Sequence, residues 1–187
     1  MTSALNGVPG TRLDLDTLLP YLDLHLAGAT NGVRLFNAAR ISWAGTSYEA
    51  EFTRMRKEIS DERTYLKKLI RTLGHRPSRI KMGFARVASV VAEFDPLNPL
   101  RRKATAGAQL ELEALQSLLR GKEALWLTLL ALPPGATAGP GRPGFDRAAL
   151  ERLLAASREQ QDAVTRVMTE TAPARFMVCE AGGSARP

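Results

Sequence analysis

His25, Glu62, Glu111, Lys122 and Gln161 are the side chains of this sequence whose types and positions suggest chemistry. Each falls on the apolar face of a segment with helical periodicity, counted at about 100° per residue. Charged groups buried without partners are costly, so these five are expected to pair with one another, to be hydrogen-bonded, or to border a wet pocket. His25, Glu62 and Glu111 resemble an incomplete metal shell. Lys122 brings an ammonium to the same face, where it neutralises carboxylates and opposes a divalent ion. The expectation is therefore a packed layer of salt bridges and hydrogen bonds. A single metal on His25, Glu62 and Glu111, or a small-molecule or catalytic pocket using the Glu, Lys and His, are the alternatives.

A di-iron centre in a helical bundle takes a Glu from each of two helices and a Glu-x-x-His pair from each of the other two. Neither histidine fits, because Leu22 stands three residues before His25, and His75 follows Gly74 past the end of a helical pattern. Glu58-x-x-Asp61 and Glu159-x-x-Asp162 come nearer, but Asp61 falls opposite the Ile59–Glu62 seam. Glu159 and Asp162 point away from Leu154, Gln161 and Val164, so these pairs are expected in solvent. There is no phosphate-binding Gly-x-x-x-x-Gly-Lys loop, no dinucleotide fingerprint and no Gly-x-Ser-x-Gly elbow. No catalytic residue and no cofactor are assigned on this reading, which leans away from an enzyme. The single cysteine, Cys179, excludes an internal disulfide and a cysteine zinc site.

The formal charge of +7 is unevenly spread: residues 1–62 carry −2, residues 63–103 carry +9 and residues 104–187 are neutral. Lys67, Lys68, Arg71, Arg76, Arg79, Lys81, Arg86, Arg101, Arg102 and Lys103 lie within the basic stretch. An anionic partner, nucleic acid or an acidic or membrane surface, is one reading of this block. A solvated face is the other. Aromatic residues hardly interleave with the cations, so stacking of single-stranded bases is not favoured.

Elements must carry these residues, and period and caps place them. Helices are predicted over about 15–42, 47–74, 78–94, 100–132 and 146–171, between tails at 1–13 and 173–187. The first seam reads Leu18, Leu22, His25, Ala29, Val33 and Phe36, with Pro20 assigned to a first turn that needs no amide donor. Thr46-Ser47-Tyr48-Glu49 is a capping-box signature opening a second seam of Tyr48, Phe52, Met55, Ile59, Glu62, Leu66, Leu69 and Leu73, closed by Gly74. Phe145-Asp146 offers a cap and a staple to Leu150 for the last helix. Residues 133–144, rich in proline and glycine, are expected to form a mobile surface loop, and Gly139-Pro-Gly-Arg-Pro-Gly a linker. Nothing alternates with period two over a useful length, so no strands are expected. Short links join the first helix to the second and the third to the fourth. The long 2–3 link, with its short extra helix, suits a crossover running the length of a bundle. With 44% hydrophobic residues, no apolar run long enough to span a membrane and no signal pattern at the start, a cytoplasmic protein is expected. The wide apolar face around Leu118, Trp126 and Leu129 suits either the connecting helix or a second subunit, so a homodimer is one of two readings.

Several runs have a familiar look: His25-Leu-Ala-Gly-Ala-Thr-Asn-Gly-Val33, Glu58-Ile-Ser-Asp-Glu-Arg63, Leu73-Gly-His-Arg-Pro-Ser-Arg-Ile-Lys81, Leu110-Glu-Leu-Glu-Ala-Leu115, Gly121-Lys122 and Leu125-Trp126. Over residues 15–132 the chain resembles a group of uncharacterised ferritin-like four-helix-bundle proteins of high-GC bacteria. The resemblance implies an all-α, ferritin-like antiparallel four-helix bundle and carries no activity or site residues with it.

Overall fold

The structure, a computed structural model, describes residues 12–76, 106–139 and 144–178. Helix α1 (Leu15–Ser42) starts where the Asp14 carboxylate accepts from the amides of Asp16 and Thr17, at 3.1 and 3.4 Å. With the cap at Asp14, Pro20 stands in the second turn and not the first. The helix continues through it with one intrahelical bond fewer. At the far end the Trp43 indole stacks on Phe52 at 5.6 Å and meets the edge of Tyr48 at 5.7 Å, an aromatic corner that closes the turn into the next helix.

Helix α2 (Glu49–Thr72) opens with a variant of the expected capping box. Glu49 reaches back to the amide of Gly45 at 2.7 Å, while the Thr46 hydroxyl takes the amide of Tyr48 at 3.3 Å and donates to the Trp43 carbonyl. The donors that are satisfied lie in the turn ahead of the helix, so Tyr48 caps it without a side-chain bond. At the other end Gly74 adopts φ +85°, its amide bonding the Arg71 carbonyl and that of His75 the Ile70 carbonyl. This is the paired closure that a left-handed residue after a helix makes possible.

Helix α3 (Ala106–Ala131) ends ahead of Pro133 and Pro134, and Arg147 donates to the Leu132 carbonyl at 3.2 Å. Helix α4 (Arg147–Phe176) is capped by Asp146, which accepts from the Ala149 amide at 3.0 Å. It passes through Pro173 and outlasts the expected end at 171 by more than a turn. The reason is Arg175, whose guanidinium bonds the Thr171 hydroxyl, the Met168 carbonyl and Gln109 of α3, tying the last turn to the neighbouring helix. The predicted connecting helix 78–94 lies outside the described residues.

Residues 133–139 also depart from the expected mobile loop. Ala136 and Ala138 are buried, the amide of Leu13 bonds the Thr137 carbonyl at 2.9 Å, and a lone bridge pairs Arg12 with Thr137. This segment closes the end of the bundle by packing small side chains. Gly144 comes close against it, since a Cβ there would stand 2.9 Å from the Ala136 carbonyl oxygen.

Helices pack as two antiparallel hairpins, α1 with α2 and α3 with α4, joined side by side through α1 and α3. Two apolar clusters set the directions. One gathers the end of α1, the start of α2, the start of α3 and the end of α4, around Phe36, Phe52, Leu115 and Val164. The other gathers the start of α1, the end of α2, the end of α3 and the start of α4, around Leu22, Ile70, Trp126 and Leu150. α2 and α3 therefore run the same way, and the chain leaves α2 at one end of the bundle and enters α3 at the other. At about 1.5 Å per residue these helices are roughly 36–45 Å long. Among the described residues the fold is an all-helical four-helix bundle, and no helix is long and apolar enough to cross a membrane.

Candidate functional site

Between the two apolar clusters lies a polar layer at mid-bundle. Glu62 sits between Ile59 and Leu66 on α2, Lys122 between Leu119 and Leu125 on α3, and Gln160 between Leu150 and Ala163 on α4. The Lys122 ammonium donates to Glu62 Oε2 at 2.5 Å and to the Gln160 side-chain oxygen. The Gln160 amide in turn donates to Glu62 Oε1 at 3.1 Å and to Glu58 Oε2 at 2.9 Å. Three helices are thereby cross-linked through one nearly buried ion pair. Burial pushes the Lys122 ammonium below the ordinary lysine range, and the Glu62 and Glu58 carboxylates push it back up.

A second rung lies one residue further along both α3 and α4. Glu123 accepts from Gln161 at 2.9 Å, from Arg158 at 3.0 Å and from Arg120 at 2.6 Å. These bonds, the Gln161 amide foremost and then Arg158 and Arg120, hold its carboxyl down to about 2. Both guanidiniums are more than half exposed, so solvent screens much of this pairing.

Of the five side chains expected in one interior cluster, Glu62 and Lys122 meet directly. Gln161 is buried but serves Glu123, and its neighbour Gln160 takes the place foreseen for it. Successive residues on a helix point about 100° apart, so Lys122-Glu123 and Gln160-Gln161 each divide between two seams. That dyad pattern was the signal available for Gln160 and Glu123. Glu111 is 1% exposed but sits near the start of α3, about 16 Å along the axis from Lys122 at the usual helical rise. It does not join Glu62. Among the described residues no group of three His, Cys, Asp or Glu side chains is placed to hold a metal ion. Asp61, Glu159 and Asp162 are exposed, whereas Glu58, expected in solvent, turns one oxygen to Gln160 and the other to Arg54. Asp23 was not foreseen: it is buried on α1 and meets His75 Nε2 at 3.0 Å, a contact that needs the reversal at Gly74.

His25 is half-buried, its ring edge-on to Tyr21 at 4.5 Å, and burial lowers its pKa from 6.5, which keeps it neutral at neutral pH. It faces a cavity of about 170 Å³ between α1, α2 and α3, bordered also by Glu62, Lys122, Phe36 and Trp126. Three helical glycines line it. A Cβ at Gly28 or Gly121 would meet nothing within 4 Å, and one at Gly32 only Ile59 at 3.7 Å. Leu24, Ser117 and Gly121, all exposed, lie on the same wall and mark its opening to solvent. Comparison with protein families, with curated proteins and with solved structures finds no match to this chain. Trp126 is 1% exposed, and its indole N–H has no hydrogen-bond partner among the described residues. A buried donor left unpaired calls for a water or a ligand.

The basic residues divide by location. Lys67, Lys68, Arg71 and Arg76 are exposed along the end of α2 and just past it. Arg79, Lys81, Arg86, Arg101, Arg102 and Lys103 lie outside the described residues.

Proposed function

We propose that this protein is a non-catalytic, ferritin-like helical bundle that works as a binding module for a small, neutral, largely apolar molecule. The observation that carries this reading is the mid-bundle cavity, which opens beside the polar layer between apolar walls that include Phe36, Leu125 and Trp126. Its volume of about 170 Å³ is close to that of an engineered apolar cavity of roughly 150 Å³ that takes up benzene. Helical glycine costs about 0.5–1 kcal/mol relative to alanine, and two of the three on this wall fill no tight contact. Room for a ligand explains them. Neutrality follows from the buried pair: Lys122 already answers Glu62 at the cavity wall, and Arg63, the other charged group there, also borders the open groove between α1 and α2. The ferritin-like part of the reading rests on the sequence resemblance and on the parallel course of α2 and α3.

A metal-binding or oxidase-like carboxylate bundle has less support, because the Lys122 ammonium occupies Glu62 and Glu111 stands far along α3. The deciding experiment is ligand-observed NMR of the full chain with neutral aromatic fragments the size of benzaldehyde and indole, alongside Gly121→Leu. Fragments should bind the wild-type protein and not the variant, which should melt at the same or a higher temperature. No uptake by the wild type, or undiminished uptake by Gly121→Leu, overturns the proposal.

A further inference from the structure

The end of α2 carries a charge pattern that the rest of that helix does not. In its first half the cations are interspersed with acids and two of the three pair with them, Arg54 with Glu58 at 2.7 Å and Lys57 with Asp61 at 2.8 Å. After Glu62 the acids stop. Arg63, Lys67, Lys68, Arg71 and Arg76 follow with no Asp or Glu between them, and none makes an ion pair among the described residues. Arg63, Lys67 and Arg71 repeat every four residues and form a column of about 12 Å at the helical rise. Like charges at that spacing on a helix repel one another. The helix dipole favours a cation in the final turn, which accounts for Arg71 alone.

All five cations line one groove between α1 and α2, of about 1270 Å³, with Thr30 and Thr64 on its walls and Gly74 and His75 at its end. We infer that this groove binds the phosphate backbone of nucleic acid. The reasons are shape and composition. A single phosphate could engage two or three of these cations, whereas a column of this length with a fifth cation beyond the helix suits a run of phosphates. Among the described residues the walls contain no Phe, Tyr or Trp to stack on bases, so the contacts they offer are to the backbone and not to the sequence. A membrane-surface helix would present an apolar face for insertion beside its cations. Here the flanking groups are threonines and the half-buried Leu26. Arg63 borders both this groove and the mid-bundle cavity, but Lys67, Lys68 and Arg71 border the groove alone, so the inference stands or falls independently of the cavity ligand.

The test is fluorescence anisotropy of the full chain with a labelled duplex, and with a single strand of the same length, titrated with salt. Lys67→Gln/Lys68→Gln/Arg71→Gln serves as the variant; its three sites are exposed, and a melting curve checks that it is folded. Binding at low salt should weaken linearly on a log–log plot as salt rises. The slope for duplex should fall by about 2.7 in the variant, at roughly 0.9 per lost phosphate contact, with at least a tenfold loss of affinity. Three results overturn the inference: no binding to either nucleic acid at low salt, an unchanged slope in the variant, or binding to phosphatidylserine vesicles without binding to nucleic acid.

Discussion

Lys122 is the residue on which the middle of the molecule turns. Its side chain is 14% exposed and that of Glu62 8%, so neither charge can fall back on water if the other is removed. Lys122→Met should therefore cost about 3–5 kcal/mol, the usual penalty for stranding one member of a buried pair. Glu62→Leu combined with Lys122→Met should recover most of that loss, because an apolar pair of similar volume has no desolvation to repay. Urea unfolding of the two variants and the wild type checks both expectations. A small loss in the single variant would mean that water reaches Glu62 through the cavity. At this scale the sequence was partly legible: helical phase placed Glu62 and Lys122 on inward faces, and both are largely buried. Phase could not say which glutamine would meet them, since Gln160 and Gln161 are both buried and only the crossing of α3 and α4 assigns one to each rung.

Among the elements, α2 shows how local chemistry fixes a helix and then aims the chain beyond it. Gly74 at φ +85° closes the helix and lets His75 turn back to Asp23 on α1. A side chain there is strained by about 1–2 kcal/mol. Gly74→Ala should be destabilised by that amount in urea, whereas Gly28→Ala, in mid-helix with open space around the new methyl, should gain about 0.5–1 kcal/mol. Opposite signs for the same substitution are the expected outcome. The caps at Asp14 and Asp146 and the stops at Gly74 and Pro133 were readable because each acts on its own turn. The extra turn of α4 was not, because Arg175 holds it through Gln109, which is 66 residues away in sequence. The loop after α3 was misjudged for a related reason. Proline and glycine correctly ended the helix there, but Ala136 and Ala138 are buried in one cluster with Leu13 and the start of the first helix, far earlier in the chain.

For the molecule as a whole, two apolar clusters meet across the polar layer, and each holds one of the two tryptophans, Trp43 in one and Trp126 in the other. Every helix contributes to both clusters, so neither end can unfold while leaving a complete bundle behind. Trp43→Phe and Trp126→Phe, each leaving a single fluorescent reporter, should give urea midpoints that each coincide with that variant's own circular-dichroism midpoint. If in either variant the fluorescence midpoint departs from the circular-dichroism one, the layer divides the bundle into separately unfolding halves.

The sequence by itself determined that this chain is helical, roughly where its helices start and stop, and that a few charges ride on inward faces. Those properties are set within a turn or two of backbone, by period, caps and breakers. Tertiary structure alone decided that Lys122 answers Glu62 while Glu123 answers Gln161, and that Gly28 and Gly121 leave open space beside the polar layer. These depend on how helices cross and how closely they approach, which is settled by packing among residues distant in the chain.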